Sequence, residues 1–242
     1  MVDINKHKFF LFKILKDIYE DKELAGILGF KGGTALMFFY NLPRFSVDLD
    51  FNLLKTEKEE MVYEKVKGII QKHGTIHNEA KKFYGIICVL DYGIGERKLK
   101  VEISNRNYND VYEIKNLLGI NMQVMTTPYM FSHKLCALLD RTAITNRDIF
   151  DCWFFMNNKT ALNQEIIETR MKMPLSDYLQ KCIDMLEGMS DKGILNGLGE
   201  LMDDDMKRFV RTKLRLETIT LLKFYKEYPI LCSTDFSESV KG

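Results

Sequence analysis

The chain has 242 residues, 46% of them hydrophobic and 29% charged, with a formal net charge of +1. It can bury one large core or two small ones, and its composition is that of a globular protein, not of a disordered or fibrous one. The balanced charge excludes a global electrostatic pull on nucleic acid, so any such binding must come from a local patch.

No apolar stretch is long enough to span a bilayer. The five cysteines, Cys88, Cys136, Cys152, Cys182 and Cys232, are odd in number and widely spaced in mostly apolar surroundings. That pattern suits reduced core thiols in a cytoplasmic protein. Neither they nor the histidines show zinc-ligand spacing, because Gly74 falls between His73 and His77.

An amphipathic helix over 6–21 opens the chain; its apolar residues are punctuated by lysines, unlike a signal peptide. Residues 28–31 form a short apolar strand, broken by Gly32-Gly33. A helix follows over 34–40, with Thr34 or Gly33 near its N-cap. In 44–51, Val47, Leu49 and Phe51 alternate with Asp48 and Asp50. Asp is depleted in strands, yet the alternation is that of a half-buried one. Residues i and i+2 of a strand share a face, so the two carboxylates converge on one spot. Mg²⁺ suits that spot, since it takes oxygen ligands from one or two carboxylates and substrate phosphates. Gly-Gly before a helix is by itself most often a turn, and Asp-x-Asp on a strand by itself could be a solvated edge. In this order the pair reads as a phosphate cradle followed by metal-binding carboxylates.

Residues 57–72 have helical spacing, ended by Gly74. Residues 83–91 and 97–104 form a hairpin, and the Gly-x-Gly between them is its turn. Leu99, Val101 and Ile103 point one way, and Lys100, Glu102 and Ser104 the other. Glu102 is a third acid if this strand lies beside the Asp48 strand; the alternative is a cross-strand ion pair on a solvated face, since Lys98 and Lys100 flank it. One or two short strands surround Gly119. Thr127 caps a helix with Pro128 at its first position. Leu135, Leu138 and Leu139 form its buried stripe, and Lys134 and Arg141 share another side. Asn146 caps the next helix, whose apolar stripe of Ile149, Phe150, Trp153 and Phe154 leaves Asp148 and Asp151 toward another face. On their own, Lys134 reads as a solvated lysine and the two aspartates as acids of a helix N-terminus. Residues 161–228 are all-helical. The last helix, 205–228, carries Lys207, Arg211 and Arg215 at four-residue spacing beside Arg208, which is either an RNA-backbone contact or a solvated face. Residues 233–242 are polar.

Lys31-Gly32-Gly33-Thr34-Ala35-Leu36, followed by Arg44-Phe45-Ser46-Val47-Asp48-Leu49-Asp50-Phe51, resembles the first motif of the nucleotidyltransferase toxins of AbiEii and AbiGii type. Lys134-Leu135-Cys136-Ala137-Leu138-Leu139-Asp140-Arg141, with Arg147-Asp148-Ile149-Phe150-Asp151, is similar to the second. The resemblance reaches to about Asp151; beyond it only a general helical character matches. Such proteins are the toxin half of toxin–antitoxin and phage-defence pairs, and their catalytic core resembles DNA polymerase β.

The resemblance implies an α+β fold: a polymerase β-like nucleotidyltransferase core, with a mixed sheet and flanking helices, over 1–125. A helical domain over 126–242 completes the nucleotide site. It implies that Asp48, Asp50 and Glu102 bind Mg²⁺ or Mn²⁺ in a two-metal site about 3.5–4 Å across. Gly32, Gly33 and Thr34 cradle the NTP phosphates, with Lys31 and Ser46 in the same motif; Arg44 touches phosphate or braces Asp48. Lys134 neutralises the leaving group, with Asp148, or Asp151, as the supporting acid. The implied activity moves an NMP from an NTP to an acceptor hydroxyl of RNA, tRNA in particular, with a cognate antitoxin protein as a further partner. The alternatives are a small-molecule or protein acceptor, or a non-catalytic nucleotide-binding interaction protein. The intact set Gly32, Gly33, Asp48, Asp50 and Lys134 argues against the last.

Overall fold

In the first unit, Met1–Thr126, strand alternation sets up a seven-stranded mixed sheet with one apolar and one polar face. The computed structural model describes residues 3–140 and 145–232; Arg141 and the 233–242 tail lie outside them. Helices α1 (Ile4–Glu20) and α2 (Lys22–Ala25) precede β1 (Leu28–Lys31), α3 (Gly32–Phe39) and β2 (Leu49–Leu53). Then come α4 (Glu59–Gln71), β3 (Thr75–Lys82), β4 (Gly85–Asp91), β5 (Leu99–Ser104), β6 (Tyr112–Leu117) and β7 (Ile120–Met125). The strand order is β3-β4-β5-β2-β1-β7-β6. β2 runs parallel to β5 and β1 parallel to β7; the other pairs are antiparallel.

Leu99, Val101 and Ile103 of β5 are buried, as are Ile86, Cys88 and Leu90 of β4, Phe30 of β1 and Phe51 of β2. α1 and α4 supply the opposing apolar stripes, Leu11, Ile14, Leu15 and Ile18 from one and Val62, Val66, Ile69 and Ile70 from the other. The Tyr19 ring lies 6.4 Å from that of Phe51, which lies 5.3 Å from Phe30. Burial of these alternating residues is the main stabilising term. It leaves Lys100, Glu102 and Ser104 half-exposed on the opposite face.

Strand β3 has no signature in the sequence. It is a largely exposed edge strand of polar residues, held by pairing along β4 from Thr75 opposite Asp91 to Lys82 opposite Gly85. Charge on an edge strand blocks pairing with other chains, and the same charge removes the apolar alternation that would reveal it.

His7 sits in the buried stripe of α1. Its Nε2 donates to the Val47 carbonyl at 2.8 Å, and its Nδ1 accepts from the Tyr92 hydroxyl at 2.6 Å. This ties α1 to the residue before Asp48. Burial pulls the His7 pKa below its ordinary value, with the Val47 bond opposing.

The second unit, Thr127–Gly242, is helical. It comprises α5 (Thr127–Asp140), α6 (Asn146–Asn157), α7 (Gln164–Met171), α8 (Leu175–Glu187), α9 (Asp204–Thr212) and α10 (Leu214–Glu227). A single β-bridge joins Leu162 to Leu231. Phe131 stacks on Phe155 at 5.1 Å, Tyr225 meets Phe131 edge-on, and the Tyr178 hydroxyl donates to the Leu135 carbonyl at 2.7 Å.

Several expectations change here. α3 begins at Gly32, with Lys31 at its N-cap position, and Thr34 lies inside the first turn. α5 begins at Thr127. The cap of α6 is Thr145, whose Oγ1 accepts from the Asp148 amide, whereas Asn146 donates to the Gly193 and Asn196 carbonyls. The buried face of α6 includes Asp148 and Asp151, and Trp153 and Phe154 are only half-buried. The expected last helix is two helices, broken at Lys213. The Thr212 hydroxyl donates to the Arg208 carbonyl, a local bond that competes with the helical ladder. The basic stripe is thereby divided. Lys207 pairs with Asp204 and Arg208 with Asp205 on α9, while Arg215 on α10 pairs with Asp191 at 2.7 Å.

The described cysteines are free thiols, four of them buried. Among the described residues no helix is long and apolar enough to cross a membrane.

A His whose folded pKa lies below its unfolded value of about 6.5 protonates first in the unfolded chain. Its contribution to stability is therefore present above about pH 6.5 and is lost as the pH falls toward the folded pKa. His7→Gln is expected to lower the melting temperature at pH 7.5 by several degrees, through lost buried hydrogen bonds. The gap to wild type should narrow by pH 5.5. Thermal melts of both proteins at the two pH values check this; a constant gap would show that His7 does not change its protonation on unfolding.

Candidate active site

The turn from β1 into α3 leaves no room for a side chain at either of its glycines. Gly32 adopts φ 80°, a left-handed conformation that favours glycine. A Cβ there would lie 2.5 Å from Asp50 Oδ2, and one at Gly33 would lie 2.7 Å from Ser46 Oγ and 2.9 Å from Arg44 Nη2. The two glycines thus let the acid-bearing segment lie directly against the helix N-terminus. The buried Thr34 hydroxyl fastens the two together by donating to the Asp48 carbonyl. Arg44 and Ser46 are both buried, and Arg44 Nη1 donates to the Phe45 carbonyl at 3.0 Å.

Asp48 lies just before β2 and Asp50 within it, on the polar face of the sheet. Lys31 of β1 stands opposite Asp50, and on the other side Glu102 of β5 is in register with Asp50. The sheet therefore brings Lys31, Asp50 and Glu102 into one row, with Asp48 adjoining. The Asp48 side chain is 26% exposed, open enough for a ligand to reach.

Lys100 is the residue the sequence underrated. Its ammonium lies 2.7 Å from Glu102 Oε2 and 4.0 Å from Asp48 Oδ2. The third-acid position and the ion pair were posed as alternatives, and Glu102 shows both. Burial pushes the Asp50 pKa up; Lys100 opposes this, and the neighbouring charges of Asp48 and Glu102 raise it further. Burial also works against ionisation of Glu102, but the Lys100 hydrogen bond and charge, then Lys31 and Lys82, outweigh it and hold its pKa low. Lys100 in turn is held above its ordinary range by these carboxylates, against its own burial.

No described group of three His, Cys, Asp or Glu side chains forms a ready metal cage. Mg²⁺ seldom needs one, because substrate phosphates and water complete its shell. The donor set fits a hard cation. It offers carboxylate oxygens alone, and the mutual repulsion at Asp50 is what a divalent ion would relieve.

In the second unit the structure joins Lys134 of α5 to Asp148 and Asp151 of α6, which the sequence could place only on two separate helices. Lys134 Nζ lies 3.1 Å from Asp148 Oδ1 and 2.8 Å from Asp151 Oδ2. Both aspartates are essentially fully buried, and the Thr145 hydroxyl donates to Asp148 Oδ2 at 2.6 Å. Burying carboxylates around an ammonium is costly and adds little net stability, so such a group suggests a functional constraint. Asp148 does lie in the first turn of α6, as a helix N-terminal acid would, but both aspartates are buried against Lys134.

The solved structures similar to this chain include a candidate nucleotidyltransferase from H. pylori, with TM-score 0.62, 21% identity, and 92% of this chain and 94% of that one covered. A second, JHP933 from Helicobacter pylori, has TM-score 0.58 and 21% identity, with 93% of this chain and 92% of that one covered. At that identity the likeness is one of fold. A search of curated proteins finds no match. The family model described as "Nucleotidyl transferase AbiEii toxin, Type IV TA system" matches residues 13–218, most of the chain. The α+β fold, the acid row beside the Gly32–Gly33 turn and this match agree: the chain belongs to the AbiEii nucleotidyl transferase toxin family and is an enzyme of the nucleotidyltransferase class.

Proposed function

We propose that the protein moves an NMP from an NTP to an acceptor hydroxyl of RNA, tRNA in particular, in a Mg²⁺- or Mn²⁺-dependent reaction. It would act in the cytoplasm as the toxin of a toxin–antitoxin pair. The observation that carries the chemistry is the register of Asp50 with Glu102, beside a Gly32–Gly33 turn that a Cβ would fill.

In this reading the Gly32–Gly33 turn and the N-terminus of α3 receive the β- and γ-phosphates, with backbone N–H groups and the helix dipole favouring their charge. Lys31 and Thr34 flank that cradle, and Arg44 and Ser46 shape it from behind. Asp48, Asp50 and Glu102 would hold the divalent cation, which when bound neutralises phosphate charge and makes the acceptor hydroxyl easier to ionise. The acceptor oxygen attacks the α-phosphorus as the bond to pyrophosphate breaks. Lys134, paired with Asp148 and Asp151, is assigned to the charge on that leaving group. Positioning and electrostatics are all that such a transfer asks of a protein.

Incubating the protein with Mg²⁺, each α-labelled NTP in turn and total bacterial tRNA tests the reading. Label should appear on tRNA, and Asp48→Ala should lower the rate by at least about 10²–10³-fold. Label on no RNA with NTP still bound would redirect the search to small-molecule or protein acceptors. Failure of wild type to bind any NTP would sink the catalytic assignment.

Lys134→Ala should cost roughly 10²-fold in kcat with a smaller change in KM, because its charge matters most as the leaving group departs. An equal loss through KM alone would make it a ground-state binding residue. Gly33→Ala should lose about 1–3 kcal/mol of stability through overpacking, and NTP affinity with it. Adding Ser46→Gly removes the nearest obstructing atom and should recover part of both, as read by thermal melts and NTP titration.

A further inference from the structure

A two-residue hairpin turn is usually built from small polar residues and glycine. The turn between β3 and β4 is Phe83-Tyr84, and Phe83 is 87% exposed and Tyr84 54%. Two large aromatic residues at a solvated tip are a local choice that folding does not require. The unusual backbone is carried by the next residue: Gly85 has φ 136°, and a Cβ there would lie 2.0 Å from the Ile103 carbonyl oxygen. The hairpin tip is thus locked against β5, and the Asn105 amide donates to the Tyr84 carbonyl. The aromatics project from a fixed position.

Cations accompany them. The Arg106 guanidinium lies 4.1 Å from the centre of the Tyr84 ring, and the two aromatic rings meet edge-on at 4.8 Å. Exposed Lys82 immediately precedes them. Strand register gives this lysine a side. Lys82 is opposite Gly85, and Gly85 is opposite Ser104; in the adjoining row Ala80, Ile87, Glu102 and Asp50 align across β3, β4, β5 and β2. Side chains two residues apart on a strand share a face. Lys82 therefore lies on the face of the acid row, whereas Lys81 points to the other face and pairs with Glu60. β3 and β2 are three strand spacings apart, about 15 Å, a span that a few nucleotides cover.

We propose that Lys82, Phe83, Tyr84 and Arg106 form a docking surface for single-stranded RNA. Bases stack on the two aromatic rings and phosphates meet the two cations, so that the strand's end runs along the sheet toward Asp50 and Glu102. Flat aromatic faces with interleaved cations are what sequence-tolerant binding of unpaired nucleic acid uses. The inference rests on the nucleotidyl-transfer reading for what happens at that end. It also replaces the divided stripe of α9 and α10 as the surface meeting the acceptor.

The test is fluorescence anisotropy with a fluorescein-labelled, unstructured oligoribonucleotide of about 12 nucleotides, alongside Mg²⁺–NTP titration of the same proteins. All four positions are on the surface or at the tip, so the variants should fold. Phe83→Ala with Tyr84→Ala should raise the oligonucleotide Kd at least about tenfold, and the loss should persist at high salt. Lys82→Gln and Arg106→Gln should each lower the slope of log K against log salt by about 0.7. NTP affinity should be unchanged in all of them. Unchanged oligonucleotide affinity in the aromatic variant, with NTP binding intact, overturns the docking surface and leaves the nucleotidyl-transfer reading standing. So does a variant that keeps the oligonucleotide but loses a co-expressed protein partner, which would make the tip a protein interface. Loss of NTP binding by wild type itself strikes instead at the underlying reading.

Discussion

The contact on which the first unit's site depends is the close approach of the acid-bearing segment to the β1–α3 turn. The segment carrying Asp48 and Asp50 lies so close to the β1–α3 turn that neither Gly32 nor Gly33 could carry a Cβ without meeting Asp50, Ser46 or Arg44. The Thr34 hydroxyl closes the contact by bonding the Asp48 carbonyl, and His7 reaches the adjoining Val47 carbonyl from α1. Neither bond uses a carboxylate oxygen. The scaffold grips the acid segment by its backbone and leaves the Asp48 and Asp50 side chains for charge and ligands, which is how a preorganised electrostatic site is best built.

The two units handle buried charge in a common way. In the first, Lys100 stands among Asp48, Asp50 and Glu102; in the second, Lys134 stands between Asp148 and Asp151. Carboxylates brought close in a low-dielectric setting repel each other and tend to take up protons. In the sheet, Lys100 holds the Glu102 pKa low and is itself held above its ordinary range by the carboxylates around it. The sheet places its lysine through its register, since Lys100 and Glu102 are two residues apart on one strand. The helical unit does it through the i, i+3 spacing of Asp148 and Asp151, with Lys134 supplied from α5.

Much of the framework was legible because it follows local periodicity. Alternation gave the hairpin of β4 and β5 and the side on which Glu102 lies; the run from Leu28 through Gly33 gave a strand, a turn and a helix. The failures have physical causes. β3 is an edge strand of polar residues, so burial leaves no pattern in it. The split at Lys213 falls in a run that has no Gly or Pro to mark it. Asp148 and Asp151 read as acids of a helix N-terminus, and their burial had no local signal, because burial of a carboxylate is decided by whether a cation from elsewhere arrives beside it. Lys100 read as a flanking charge for the same reason.

The sequence by itself determined the local elements and the chemical inventory: two glycines where a strand turns into a helix, two aspartates two residues apart at the start of a strand, and a lysine upstream of an acidic helix. Local steric rules and the periods of 2 and 3.6 residues are enough for that. Only the tertiary structure decided that Glu102 stands in register with Asp50, that Lys100 stands among the acids, that Lys134 reaches both Asp148 and Asp151, and that Lys82, next to the Phe83-Tyr84 hairpin tip, lies on the face of the acid row. Strand pairing and helix packing join residues far apart in the chain. Which charges meet is therefore set by the burial of the apolar residues around them, and not by anything those charged residues carry in their own neighbourhood of the sequence.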